Sequence, residues 1–318
     1  MTPNEPTMTA AVLLDFGAAP EVRQILVPEP AEGEVRVRVH AASVNGFDVS
    51  VASGKVKGMM EHRFPVVLGK DFAGTVDAVG AGVSGFAPGD RVFGVVTKPY
   101  LGDGSFGELV TVPTGIGLAR LPDGIDFKKG GALGLAGTAA RLAVDAAELS
   151  PGQTVLIVGA TGGVGTIAVQ LAAQAGARVI ATAHGDEARR LVTDLGAAEV
   201  VDYTRDVAAQ VRAAHPDGVD AVLHLAGDPG ALLPLVRAGG RFASTRIMKP
   251  EQISSDMVTV KAVYAVPTAE VLSGLADAVA SRSLTVHIQR TYTLDDAPAA
   301  LRDFAQQGTL GKLVIVTD

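Results

Sequence analysis

Short valine-rich runs, closed by glycine or proline, fill the first third of the chain at 10–14, 34–44, 72–79, 91–96 and 106–112. In Val35-Arg36-Val37-Arg38-Val39 apolar and charged residues alternate with period two, which puts the valines on one face of a half-buried strand. Turn signals such as Gly80-Ala81-Gly82 and Ala87-Pro88-Gly89-Asp90 recur too closely to leave room for long helices. This region is expected to be antiparallel β.

Near Leu121-Pro122-Asp123-Gly124 the texture changes. Continuous apolar strands at 155–159, 178–183, 199–202, 220–226 and 241–244 alternate with helix-sized stretches at 163–175, 186–195, 206–214 and 229–236. That alternation predicts βαβ units and a parallel sheet covered on both faces. After Pro267 the pattern predicts an amphipathic helix, a strand at 285–288, a helix from Ala297 to Gln307 and a strand at 312–316. Periodicity alone allows these closing elements to join either domain.

Length agrees with this division, since 318 residues suit two domains at roughly 100–200 residues each. Hydrophobic residues at 47% and charged residues at 19% describe a globular chain. The 38 glycines exceed the roughly 22 expected from average usage of about 7%, so many backbone positions need a missing Cβ. With no cysteine there is no disulfide framework, thiolate zinc site, iron–sulfur ligation or cysteine nucleophile. A net charge of -7 argues against nucleic acid or an anionic membrane as partner. Met1 to Pro6 does not read as a secretory signal, and no apolar run approaches the roughly 20 residues of a membrane span, so a cytoplasmic location is expected.

The strongest chemical signal is the apolar run from Thr154 entering Gly159-Ala160-Thr161-Gly162-Gly163-Val164-Gly165 and a following helix. A dinucleotide's pyrophosphate needs close backbone approach and gains from free N–H groups at a helix N-terminus. The glycines fall at spacings of three rather than two then three, so the strand and helix around them carry the argument as much as the motif does. The second strand ends Ala181-Thr182-Ala183-His184, without the carboxylate that would bind the adenosine ribose of NAD. His184, Arg189, Arg190 and Tyr203 are placed to surround a 2′-phosphate, which favours NADP(H).

Dispersed segments now carry a resemblance: Ser43-Val44-Asn45-Gly46-Phe47-Asp48, Leu68-Gly69-Lys70-Asp71-Phe72-Ala73-Gly74, Gly89-Asp90-Arg91-Val92-Phe93-Gly94, Gly134-Leu135-Ala136-Gly137-Thr138-Ala139-Ala140, the glycine turn and Gly311-Lys312-Leu313-Val314. Through them nearly the whole chain resembles the zinc-free quinone oxidoreductase branch of the medium-chain dehydrogenase/reductase superfamily. The resemblance implies an α/β chain with a GroES-like catalytic domain at 1–123, a Rossmann doubly wound NADP(H) domain at 124–266 and a return to the first domain at 267–318. It also implies a homodimer through Rossmann edge strands, with 258–266 as the candidate edge. Zinc-dependent members carry Gly-His-Glu where this chain has Gly69-Lys70-Asp71, so no metal site is expected.

Carried over residue by residue, the resemblance puts Asn45 beside the nicotinamide, Thr138 on the nicotinamide side, and Gly162, Gly163 and Val164 at the pyrophosphate. His184, Arg189 and Tyr203 frame the adenosine phosphate, Ser244, Thr245 and Val266 line the nicotinamide half, and Lys312 joins the cofactor contacts. Ser50 stands where relatives often have a tyrosine, so the catalytic candidates are Asn45 and Ser50, with Tyr100, Lys55 and Lys57 as alternative donors. Asp48 reads as a local backbone cap. The activity implied is NADPH-dependent hydride transfer to a quinone or enone without zinc. The alternatives are an enoyl-thioester or biosynthetic tailoring reductase, and an NADPH-binding protein with little catalysis.

Overall fold

The computed structural model describes residues 5–253, 255–306 and 308–317. Most of the Met1 to Pro6 stretch, and Gln307 at the end of the expected last helix, lie outside the described residues. The chain forms two compact units, one of residues 1–135 with 267–318 and one of residues 136–266.

The first unit opens with β1 (Thr7–Leu13), β2 (Glu21–Leu26), β3 (Glu34–Ser43) and α1 (Gly46–Ala52). It continues through β4 (Glu61–His62), β5 (Val66–Val67), β6 (Asp71–Val79), β7 (Arg91–Val95), β8 (Tyr100–Leu101), β9 (Leu109–Pro113) and β10 (Leu118–Arg120). The long α2 (Phe127–Ala147) runs across the division between Leu135 and Ala136. The second unit holds β11 (Thr154–Val158), α3 (Gly163–Gln174), β12 (Arg178–Thr182), α4 (Asp186–Asp194), β13 (Glu199–Val201), α5 (Val207–Ala214), β14 (Val219–His224), α6 (Pro229–Leu232), β15 (Val236–Ser244) and β16 (Thr259–Ala262). The chain closes with α7 (Ala269–Ala280), β17 (Ile288–Thr293), α8 (Ala297–Ala305) and β18 (Lys312–Val316).

In the first unit the main sheet runs β10-β7-β6-β3-β18-β17, with β9 also paired to β3. Val35, Val37 and Val39 are buried on β3, while Arg36 and Arg38 turn outward to share Asp77, as the alternation predicts. The closing segment joins this unit: β18 lies antiparallel to β3, with Val314 opposite Ser43 and Ile315 opposite Ala42. That pairing settles the placement that periodicity left open, and it brings residue 312 beside residues 43–45.

The second unit is a six-stranded parallel sheet in the order β13-β12-β11-β14-β15-β16. Counted from β11 this is strand order 3-2-1-4-5-6, the doubly wound dinucleotide arrangement, whose order reverses between β11 and β14. Leu156, Ile180, Val222 and Phe242 fill its core.

Three elements depart from the periodicity reading. The helix expected at 229–236 stops at Leu232, continues as a 3-10 turn over Leu233–Leu235 and becomes strand, because Pro234 supplies no N–H for an α-helix. The strand expected at 285–288 starts at Ile288 instead, since its register is set by pairing with β18 rather than by the buried Leu284 and Val286. The edge strand β2 is too shallowly buried to announce itself by alternation.

Gly74 on β6 faces the backbone of β3 so closely that a Cβ would meet the Arg38 carbonyl oxygen. Gly74→Ala should therefore lower unfolding free energy by about 1–3 kcal/mol, the usual cost of overpacking. Denaturant unfolding checks this, and an unchanged midpoint would contradict the close approach.

Candidate functional site

Two polar constellations stand out, one in each unit. In the second, β11 is followed by Gly159, whose φ of +88° suits glycine, and the chain turns into α3. A Cβ on Gly165 would collide with the Gly159 carbonyl and the Ala160 backbone, so this glycine lets the helix pack against the turn, whereas a Cβ on Gly162 would meet the Gly159 carbonyl oxygen only in an ordinary 3.6 Å contact. Helix α3 follows the N-cap residue Gly162, with no side-chain cap and no acidic residue in its first turn. The first-turn N–H groups, including those of Gly163 and Val164, thus present the positive end of the helix to whatever binds there. These features fit a dinucleotide's pyrophosphate, which would be held by this turn.

His184 follows β12, and the structure brings it together with Arg189 and Tyr203. Its ring lies 6.0 Å from that of Tyr203, its Nδ1 is 3.2 Å from Asp202, and Arg189 is 3.7 Å from the same carboxylate. Asp202 is buried at the tip of β13 and also accepts from the Thr204 hydroxyl at 2.7 Å and the Thr204 N–H at 2.9 Å. The Thr204 bonds, with His184 adding to them, hold its carboxyl well below the usual range. Sequence reading missed Asp202; its signal was an acid at the very end of a predicted strand.

At the end of β15, Ser244 is buried and accepts from the N–H groups of Arg246 at 3.0 Å and Ile247 at 3.2 Å. His224 Nε2 is 3.1 Å from the Gly227 carbonyl, to which it must donate, leaving Nδ1 to accept the Ser244 hydroxyl at 2.8 Å. Burial pulls the His224 pKa down, consistent with this neutral tautomer. Ser244 therefore shapes the loop carrying Thr245. Thr138 is fully buried on α2, and Val266 is 46% exposed beyond β16.

The first unit contains a denser constellation around Asp71, which is fully buried at the start of β6. Its Oδ2 accepts from the Ser43 hydroxyl at 2.7 Å, Asn45 Nδ2 at 2.9 Å and Lys312 Nζ at 3.4 Å, and Oδ1 accepts from the Leu135 N–H at 2.6 Å. Lys312 also donates to Asn45 Oδ1 at 2.7 Å and to the Val44 carbonyl at 3.1 Å. Asn45 is the N-cap residue of α1 without a side-chain bond to the helix, and Asp48 accepts the Asn45 N–H on its carboxylate at 2.8 Å. Burial, helped by nearby Asp71, raises the Asp48 carboxyl to about 7 against the pull of that N–H. Lys70 donates to the Val96 carbonyl at 2.7 Å, and burial lowers its pKa.

Three of the other donor candidates, Ser50, Tyr100 and Lys57, are engaged locally. The Ser50 hydroxyl donates back to the Gly46 carbonyl at 2.9 Å within α1, and the Tyr100 hydroxyl donates to Asp103 at 2.9 Å. Lys57 lies 4.6 Å over the Phe16 ring.

Residues 31–123 match the alcohol dehydrogenase GroES-like domain family, and residues 195–315 match the zinc-binding dehydrogenase family. The chain is 31% identical to the quinone oxidoreductase of Sus scrofa, with 99% of this chain and 100% of that protein aligned. It belongs to the quinone oxidoreductase branch of the medium-chain dehydrogenase/reductase superfamily. It is also 34% identical over 306 residues to a mycocerosic acid synthase-like polyketide synthase of Mycolicibacterium smegmatis, covering 90% of this chain but only 14% of that much longer protein. Among solved structures, the quinone oxidoreductase from Coxiella burnetii superposes with a TM-score of 0.90 at 26% identity over 98% of this chain and 100% of that one. A mycobacterial protein complexed with NADPH gives 0.85 at 28% identity over the same shares.

One matched family is described by zinc, and the residues here do not fit that ion. There is no cysteine, Lys70 takes the middle place of Gly69-Lys70-Asp71, and both oxygens of Asp71 are taken by protein donors. Among the described residues no three His, Asp or Glu side chains gather as a metal site. No helix among them is long and apolar enough to cross a membrane.

The raised Asp48 carboxyl has a stability consequence. Between its ordinary value near 3.8 and about 7 the folded chain holds a proton that the unfolded chain has lost. Stability from this group is therefore present at low pH and falls as pH rises through that window. Asp48→Asn keeps an acceptor for the Asn45 N–H without the charge, so it should lose this slope and exceed the wild type in stability above pH 7. Denaturant titrations at about pH 5 and about pH 8 check it; parallel pH profiles would refute the assignment.

Proposed function

We propose that this chain is an NADPH-dependent reductase that transfers hydride to a quinone or an activated alkene, acting as a cytoplasmic homodimer. The observation that carries the cofactor half is the uncapped N-terminus of α3 behind its glycine turn, with His184, Arg189 and Tyr203 gathered at the end of β12 where NAD-binding folds place an acid. The quinone oxidoreductase relatives and the NADPH-bound neighbour support the same reading. The edge strand β16, flanked by the exposed Met257, Tyr264 and Val266, suits the homodimer.

When bound, the nicotinamide supplies the hydride. The chain's own residues bind and orient: the α3 N-terminus holds the pyrophosphate, His184 and Arg189 hold the 2′-phosphate, and Ser244 fixes the loop at the nicotinamide half. Because Gly69-Lys70-Asp71 supplies no metal ligands, charge developing on the acceptor oxygen must be met by hydrogen-bond donors. That arrangement suits an acceptor that is already electron-poor.

A second reading, reduction of an enoyl thioester, is favoured by the match to the polyketide synthase segment. NADPH oxidation against a quinone, an enone and an enoyl thioester separates the two readings, and tight NADPH binding without turnover on any of them would contradict both. For the cofactor half, Arg189→Ala and His184→Ala should each weaken NADPH binding about tenfold, equivalent to about 1.4 kcal/mol, while leaving NADH binding unchanged. Equal losses for the two cofactors in parallel titrations would count against a 2′-phosphate site.

A further inference from the structure

We propose that Lys312 and Asp71 are positioning residues that act on the cofactor only through Asn45, fixing its side-chain amide so that it accepts a hydrogen bond and cannot donate one. This rests on the reading of Asn45 as a neighbour of the nicotinamide end of NADPH.

The inference follows from counting donors and acceptors. An ammonium has three N–H groups, and those of Lys312 meet Asn45 Oδ1 at 2.7 Å, the Val44 carbonyl at 3.1 Å and Asp71 Oδ2 at 3.4 Å. Lys312 is 3% exposed and has no donor left for a ligand. The two N–H bonds of Asn45 Nδ2 are likewise spent, on Asp71 Oδ2 at 2.9 Å and the Ser43 carbonyl at 3.2 Å. Its backbone N–H goes to Asp48, and its backbone carbonyl accepts from the Asp48 and Val49 N–H groups.

Reversing the amide would press its NH2 against an ammonium that only donates, and its oxygen against a carboxylate that only accepts. The charges on either side therefore dictate the orientation. What remains is the second lone pair of Asn45 Oδ1. Asn45 is thus unsuited to stabilising an oxyanion on the substrate and suited to receiving an N–H or O–H from the nicotinamide end, either the carboxamide N–H or a ribose hydroxyl. Lys312, expected from the resemblance to be a cofactor contact, becomes the group that aims Asn45.

The test is a double-mutant cycle on the NADPH dissociation constant, read by nicotinamide fluorescence, with the intact chain. Asn45→Ala should raise the constant about tenfold, Lys312→Met by a similar factor, and the double variant no further than Asn45→Ala alone. Lys312→Gln keeps one N–H for Asn45 Oδ1 and should recover most of the affinity; should Lys312→Met not fold, a Lys312→Gln variant that binds as weakly as Asn45→Ala would itself overturn the proposal. Losses that multiply to about a hundredfold in the double variant would overturn the proposal, as would an Asn45→Ala variant that binds like the wild type. A wild-type chain that does not bind NADPH would instead overturn the underlying reading. With the 3-acetylpyridine analogue, which lacks the carboxamide N–H, an Asn45→Ala penalty that vanishes identifies the carboxamide as donor. One that persists identifies the ribose hydroxyl, and the proposal stands either way.

Discussion

A carboxylate with no exposure to water has to find its partners inside the protein, and Asp71 finds four of them from three separate stretches of the chain. Ser43 and Asn45 come from the end of β3 and the cap of α1, Leu135 from α2, and Lys312 from the first residue of the last strand. A buried charge left unpaired typically costs about 3–5 kcal/mol, a large share of the stability of any domain. The return of β18 to the first sheet is therefore more than the pairing of one more apolar strand. It delivers the only cation that bonds to Asp71 among the described residues, and in doing so it places an amide and an ammonium at the start of α1.

The second unit treats its charges differently. Asp202 sits at the tip of β13, accepts from Thr204 and lies 3.2 Å from His184 Nδ1 and 3.7 Å from Arg189, so these side chains are already steered by the fold itself. The turn at Gly159–Gly165 leaves the opposite kind of site, with N–H groups and no countercharge. One constellation is saturated internally and the other is left open at a helix end.

Much of this fold was legible in the sequence because its signals are local. The Val35–Val39 alternation announced the buried face of β3, and the strand–glycine–helix run at 154–165 announced β11, its glycine turn and α3. What periodicity could not read was decided by partners distant in sequence. The register of β17 belongs to its pairing with β18, and β2 is too exposed to alternate clearly. Asp71 carried only a faint signal, a single acid opening the apolar run Phe72-Ala73-Gly74, and nothing local joins it to a lysine 241 positions later. Ser50 drew attention because a likeness placed it at a functional position, yet its hydroxyl is spent on its own helix. Asp48 read as a backbone cap from sequence, and the structure places it in that role.

The claim that the Asp71–Lys312 pair organises the first unit is tested most directly by unfolding free energies of Asp71→Asn, Lys312→Met and the double variant. Each single change strands a buried partner and should cost about 3–5 kcal/mol, whereas the double variant, with no charge left unpaired, should be no less stable than the worse single and well short of their sum. Losses in the double variant equal to the sum of the singles would show that the two groups stabilise the fold independently, and would contradict the account.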